Sequence, residues 1–302
     1  MSFSATEAAF EGFRVVRRHP MALVFWSLFY LAVMVATLAM IGGSLIGLIN
    51  AAEGLEASGA TSPEAFMPVI QSYMTILAVV LPLSLISGAM ICAAVARAVL
   101  RPAESAFGYL RLGMDEVRVL VVSIVLCIVF VGLSAVVFGI IGAVIGITAA
   151  AEAPALWLVV VLLVLAAIAL FVWLAVRLSL AIPITMAERR IAIFDSFALT
   201  KGRFWPLLGM ALLAVVMSIV VGLLGSLVAM PIQLAAGSLQ DLVGLEEESL
   251  QVILQAAWPA ITAWVVINAV MSALQVAVIY APFSAAYRDL KGVAQPSAEV
   301  FE

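Results

Sequence analysis

One histidine, two cysteines and a charged fraction of 11% in 302 residues leave little from which to build a metal centre or a hydrolytic triad. His19 stands between Arg18 and Pro20 beside a long apolar run, a setting that suits an interfacial residue better than a ligand or a general base. Cys92 and Cys127 lie inside apolar runs, where a thiol acts as a small hydrophobe, so no disulfide framework is implied. No carboxylate falls deep in an apolar run, and the consecutive Glu246, Glu247 and Glu248 cannot all face one pocket. The glycine-rich stretches lack the Lys-Ser/Thr ending of a phosphate-cradling loop. The expectation is a protein without catalytic residues, cofactor or metal.

Basic residues are missing from three of the connecting segments, and this absence is informative. All fourteen Lys and Arg residues sit beside the other connections, while the three remaining segments hold only Glu53, Glu56 and Glu64, then Glu152, then Asp241 and Glu246 to Glu248. By the positive-inside rule both termini are expected in the cytoplasm. The hydrophobic fraction of 66% lies well above the soluble norm of about half. Six apolar stretches, 21–49, 66–95, 117–147, 155–176, 204–232 and 257–286, each reach the ~20 residues that cross a bilayer core. The fold class is therefore an all-α integral membrane protein with six transmembrane helices in one domain, 1–302, ending in a short cytoplasmic tail, 292–302. The first apolar run is too long for a signal peptide and is read as retained.

An internal register also shows. Phe10-Glu11-Gly12-Phe13, Phe107-Gly108-Tyr109-Leu110 and Phe194-Asp195-Ser196-Phe197 each carry apolar residues three apart and a leucine thirteen on, at Leu23, Leu120 and Leu207. The pattern predicts three repeats, 1–100, 101–190 and 191–291, each an interfacial amphipathic helix followed by a transmembrane hairpin. Glycines at Gly42, Gly43, Gly47, Gly139, Gly142, Gly146 and Gly222 follow the same register and are expected to let helices approach closely. Leu239, Leu242, Leu245 and Leu250 suggest an amphipathic helix in the third acidic segment.

Two groups of residues are candidates for a role. Arg97 and Arg177 close the second and fourth apolar stretches, where they either snorkel as anchors or grip a lipid phosphate. Asn268, Ser272 and Gln275, at i, i+4 and i+7, share one face of the sixth helix and serve either interhelical hydrogen bonds or a polar path.

Arg177-Leu178-Ser179-Leu180-Ala181-Ile182-Pro183, then Glu188, then the run 194–205 from Phe194 to Trp205, and the ending Tyr287-Arg288-Asp289-Leu290-Lys291 resemble the membrane domain attached to some bacterial glycerophosphodiester phosphodiesterases. Related stand-alone inner-membrane proteins look similar. The resemblance implies a six-helix domain of the bacterial inner membrane near lipid metabolism. In fused members hydrolysis belongs to a separate soluble barrel, which has no counterpart in this sequence, so no catalytic residue carries over.

The expected function is a lipid-contacting scaffold or accessory subunit. Its expected partners are membrane phospholipids and another membrane protein or a second copy, with no nucleic acid. The alternatives are a transporter or lipid-translocating protein built from three parallel hairpins and, third, an intramembrane enzyme. The topology has a direct check. Single cysteines introduced as Glu56→Cys, Glu152→Cys and Glu247→Cys should react with an impermeant thiol reagent in intact cells, and Lys201→Cys should not. The reverse pattern would overturn the orientation.

Overall fold

A computed structural model describes residues 4–59, 62–151, 156–235 and 250–292. These residues form ten α-helices: α1 Ala5–Ala9, α2 Glu11–Arg18, α3 Pro20–Ser58, α4 Met67–Leu100, α5 Met114–Ala150, α6 Leu156–Leu178, α7 Ala181–Glu188, α8 Asp195–Leu199, α9 Phe204–Ala235 and α10 Leu250–Lys291. Six helical segments are long and apolar enough to cross a bilayer, matching the six stretches read from the sequence. The chain is an all-α multi-pass membrane protein. Its basic residues gather at one end of the bundle, here the basic end, and Glu53, Glu56 and Glu64 lie at the other.

Local signals set the helix boundaries. Pro20 opens α3, where its missing N–H costs nothing, and α3 stops at Gly59 with a left-handed φ of 58°. Ser62 and Pro63 start the short turn into α4. The helices overrun the expected spans at several ends. α3 continues through Glu53 and Glu56 to Ser58, so much of the expected external loop is helix. Pro82 in α4 and Pro282 in α10 stay inside helices, as neighbouring helices in a membrane permit. Glu152, residues 236–249 with Leu239, Leu242 and Leu245, and the tail 293–302 lie outside the described residues.

Burial is concentrated at the basic end. Residues Ile91 to Val99 of α4 are all under 9% exposed, as are Leu180, Ala181, Ile184 and Met186 around α7. Nearer the acidic end the helices touch less, and only 6% of the most apolar stretch of the first span is buried. α10 is central, packing against α2, α3, α4 and α9. It does so through Ala269, Ala273, Ala277, Ala281 and Ala285, which repeat every fourth residue and are each no more than 2% exposed. Small side chains on one face let backbones approach, the usual basis of helix association in lipid.

Two expectations need correction. The first concerns glycine: a side chain added at Gly42, Gly43, Gly139, Gly142 or Gly146 would meet nothing within 4 Å, so these are not close crossings. Close approach occurs at Gly12, where a Cβ would sit 2.5 Å from the Val278 Cα, and at Gly222 and Gly225, facing Gln275 and Met271. The second concerns the interfacial helices. Phe10, Phe107 and Phe194 are all exposed at the basic end, at 45%, 73% and 75%. Their backbones differ, however. Phe10 joins α1 to α2, and Phe194 precedes the single-turn α8, but Phe107 sits in a left-handed turn and forms no helix. Helix is excluded there by neighbouring contacts and by Pro102, Gly108 and Gly113 in the surrounding segment. The hairpins α3/α4, α5/α6 and α9/α10 are each packed as pairs.

α1 and α2 do not lie free on a surface. Ala8, Ala9, Glu11, Gly12 and Val15 are buried beneath α9 and α10. Glu11, 3% exposed, pairs with Arg288 of α10 at 3.5 Å and with Arg14 at 3.4 Å. The crossing should be intolerant of a single methyl group. Gly12→Ala is expected to destabilise the protein by about 1–3 kcal/mol through overpacking. Gly42→Ala, placed in open space, should be neutral or slightly stabilising; unfolding midpoints in detergent measure both.

Candidate functional site: an arginine-lined cavity and a crevice between helices

The connection between α4 and α5 contains an unusual piece of backbone. Phe107, Gly108 and Tyr109 all have positive φ, at 51°, 64° and 66°. Two of the three are not glycine, and each such residue costs of order 1 kcal/mol or more and persists only where its surroundings impose it. Here they do. Trp26 of α3, fully buried, donates its indole N–H to the Gly108 carbonyl at 2.7 Å. A Cβ at Gly108 would stand 2.7 Å from Phe25 Cβ, so glycine is required there by both φ and space. The Tyr109 hydroxyl donates to the Pro102 carbonyl at 3.1 Å, and its ring meets His19 edge-on at 5.5 Å.

Arg97 fastens this turn to both helices. Its guanidinium donates to the Tyr109 carbonyl and to the Glu116 carboxylate in the first turn of α5, and lies 3.8 Å from Glu104. Arg97 is 2% exposed and Glu116 is 6% exposed. Arg97, expected from the sequence as an anchor or a lipid-phosphate contact, thus spends donors inward on Tyr109 and Glu116 and stands in the wall of the cavity described below. Arg101, at the end of α4, donates to Asp115 at 3.1 Å and to the Met186 carbonyl of α7 at 2.6 Å, so α4, α5 and α7 are tied at one level. Arg118 also reaches Asp115, at 2.7 Å.

These side chains wall a cavity of about 450 Å³ lined by five arginines, Arg97, Arg101, Arg111, Arg118 and Arg189, and three acids, Glu104, Asp115 and Glu116. Arg189 reaches it from the end of α7, where its own φ is 53°. Arg101, Arg111, Arg118 and Arg189 were not among the candidates read from the sequence. Their signal was the crowding of cations and acids between residues 97 and 118.

Arg177 occupies a different place and shares no partner with Arg97. It donates to the Phe197 carbonyl and the Thr200 hydroxyl, each at 3.4 Å, and its guanidinium lies 5.7 Å from the centre of the Trp173 ring. Its Nε is buried without a partner among the described residues. Ser196, fully buried, donates to the Arg177 carbonyl at 2.6 Å and accepts from the Leu180 N–H at 3.2 Å, closing the break between α6 and α7. Beyond α7, Glu188 binds Lys291 at 3.1 Å and accepts from the Tyr287 hydroxyl at 3.4 Å, joining that helix to the end of α10.

Of the expected polar face on α10, one member crosses a helix interface. Gln275 donates to the Ser218 carbonyl of α9 at 3.4 Å, whereas Asn268 donates to Trp264 of its own helix at 2.9 Å. Asn268, Ser272 and Gln275 line neither the arginine cavity nor the crevice that follows.

That crevice, of about 520 Å³, lies between α4, α5, the α6–α7 break and α10. Along α4 its wall runs from Ala96 to Ser84, about 18 Å of helix. The wall is mainly apolar, with Cys92, Cys127, Tyr280 and four serines interspersed. Ser84 and Ser179 spend their hydroxyls on carbonyls of their own local backbone, Leu81 and Val176. Among the described residues no group of three or more His, Cys, Asp or Glu side chains could hold a metal ion.

In comparisons with known proteins no family model matches the chain, and no curated protein or solved structure matches it either. What the site can do follows from its own geometry. The buried pair makes a sharp expectation: Glu116→Ala removes the close partner of the buried Arg97, leaves only Glu104 at 3.8 Å, and should cost about 3 kcal/mol. Arg203→Gln, at an exposed position, should shift stability by no more than about 0.5 kcal/mol. Denaturant midpoints of the two variants in one detergent provide the comparison.

Proposed function

We propose that the protein is a non-enzymatic, lipid-contacting scaffold or accessory subunit of the bacterial inner membrane, with both termini in the cytoplasm. One observation carries this reading: the uneven packing of the bundle. The basic end is closed by buried side chains and ion pairs, while α3 and α5 leave most of their apolar stretches unburied by the protein. Surfaces of that kind are satisfied by acyl chains or by helices of another membrane protein. The basic end supports contact with anionic headgroups, at roughly 1 kcal/mol per well-placed cation. The likeness of residues 177–183 and 194–205 to the membrane domain of phosphodiesterase proteins supports a place near lipid metabolism.

The crevice favours a second reading, a transporter or lipid-translocating protein. Against it, the wall is largely apolar and its hydroxyls at Ser84 and Ser179 are bonded locally. Two measurements separate the readings. Native mass spectrometry of the chain in nanodiscs should find retained phospholipid or a stoichiometric protein partner, and finding neither would overturn the scaffold. Proteoliposomes should move labelled phospholipid between leaflets no faster than protein-free vesicles; acceleration would favour translocation.

A further inference from the structure

We propose that the arginine-lined cavity and the groove beside it form one binding site for an anionic phospholipid bearing a phosphomonoester headgroup. This rests on the lipid-contacting reading and sharpens it to a place and a chemistry. Five arginines against three carboxylates leave the cavity with two positive charges in excess. Each carboxylate already has its cation. Glu104 faces Arg97 and Arg111, Asp115 faces Arg101 and Arg118, and Glu116 faces Arg97. Arg189 lines the same cavity, and among the described residues no acid pairs with it. A phosphomonoester carries about −1.5 to −2 at neutral pH, which matches the excess, whereas a phosphodiester supplies one charge.

The donors are in position as well as in number. Arg111 and Arg118 each contact a carboxylate through Nη1, at 3.0 Å to Glu104 and 2.7 Å to Asp115, with side chains 43% and 29% exposed. Each guanidinium has five N–H donors, so the remaining ones can face a phosphate in the cavity. Arg189 is delivered by a left-handed backbone, a costly conformation for a residue other than glycine, and such strain concentrates where side chains must be aimed.

The second half of the site is apolar. A groove of about 400 Å³ between α4 and α5 shares Leu112, Gly113, Met114 and Glu116 with the cavity, so the two are continuous. Its far wall includes Ile86 and Met90 of α4 and Leu120 of α5. Along α4 the groove is lined from Ile86 to Met90, about 6 Å of helix, and along α5 from Met114 to Leu120, about 9 Å, which receives the first methylenes of one acyl chain beyond the headgroup. Leu112 and Met114, 87% and 65% exposed, stand at the seam between phosphate and hydrocarbon. Cations that only orient a helix need no concave arrangement and no apolar continuation.

The test uses the full chain in detergent micelles containing phosphatidylcholine, phosphatidylglycerol and phosphatidic acid in equal amounts, read by native mass spectrometry. Phosphatidic acid should be retained preferentially, more strongly as pH rises through about 6. Arg189→Gln and the pair Arg111→Gln with Arg118→Gln should each lower its retention by about tenfold. Val117→Trp, which fills the groove, should lower it too, while Arg203→Gln, with the same loss of charge at the same end, should not. Thermal midpoints and size-exclusion profiles establish that each variant is folded; the two sets of arginine variants are independent, so loss of one still leaves a decision. Equal loss in Arg203→Gln, or full retention in Arg189→Gln, would overturn the site. So would displacement by millimolar inorganic phosphate with no effect of Val117→Trp, which assigns the cavity to a free phosphate. Retention of all three lipids without preference ends this proposal and leaves the lipid-contacting reading intact, whereas retention of no lipid ends this proposal and leaves the scaffold reading to rest on a protein partner.

Discussion

A buried guanidinium organises the basic end of this protein. Arg97 is almost wholly removed from solvent, and a charge so placed is tolerable only if it is paired and its donors are used. Glu116 supplies the opposite charge and Tyr109 the carbonyl. Satisfying one arginine thus fixes three things together: the end of α4, the start of α5 and the left-handed turn between them. The cavity beside it inherits its shape from that constraint, because Gly113, Met114 and Asp115 follow directly from the fixed turn.

The remainder of the basic end is held by contacts of a different kind. α10 offers a face of alanines, and α2 meets it through a glycine with no room for a side chain. Such crossings gain dispersion contact where a hydrophobic driving force between helices is absent. Polar staples then select the register: Glu11 to Arg288, Glu188 to Lys291, and Ser196 across the α6–α7 break. Packing brings the helices together, and the staples decide which residues stand opposite.

The six spans were legible because they depend on composition over twenty or more residues. The alanine stripe of α10 has a fourfold spacing in the sequence but was not read from it, because alanines are frequent in the spans and spacing alone does not say which face meets a neighbour. Arg97 was read as a snorkelling anchor or a phosphate contact, and its partners within the protein, Tyr109 and Glu116, escaped that reading because they lie beyond the apparent end of the helix and face it only through the turn. Of the three left-handed residues only Gly108 signals a turn in the sequence, since Phe107 and Tyr109 ordinarily avoid positive φ. The glycines of α3 and α5 fitted a close-packing pattern, yet spacing alone does not say whether a neighbour occupies the opposite side.

The seat of α2 has a consequence for how the protein is made. Gly12 rests on Ala277 and Val278, which the ribosome adds 265 and 266 residues after it. At roughly 5–20 residues per second, tens of seconds separate the two during synthesis. Throughout that interval the first two helices have no partner in α10, and Glu11 has no Arg288. A short amphipathic helix can wait at the headgroups, with its charged residues in water and its small apolar face against lipid. The first segment to emerge is thus among the last to dock, and insertion of the sixth span becomes the step that closes the bundle.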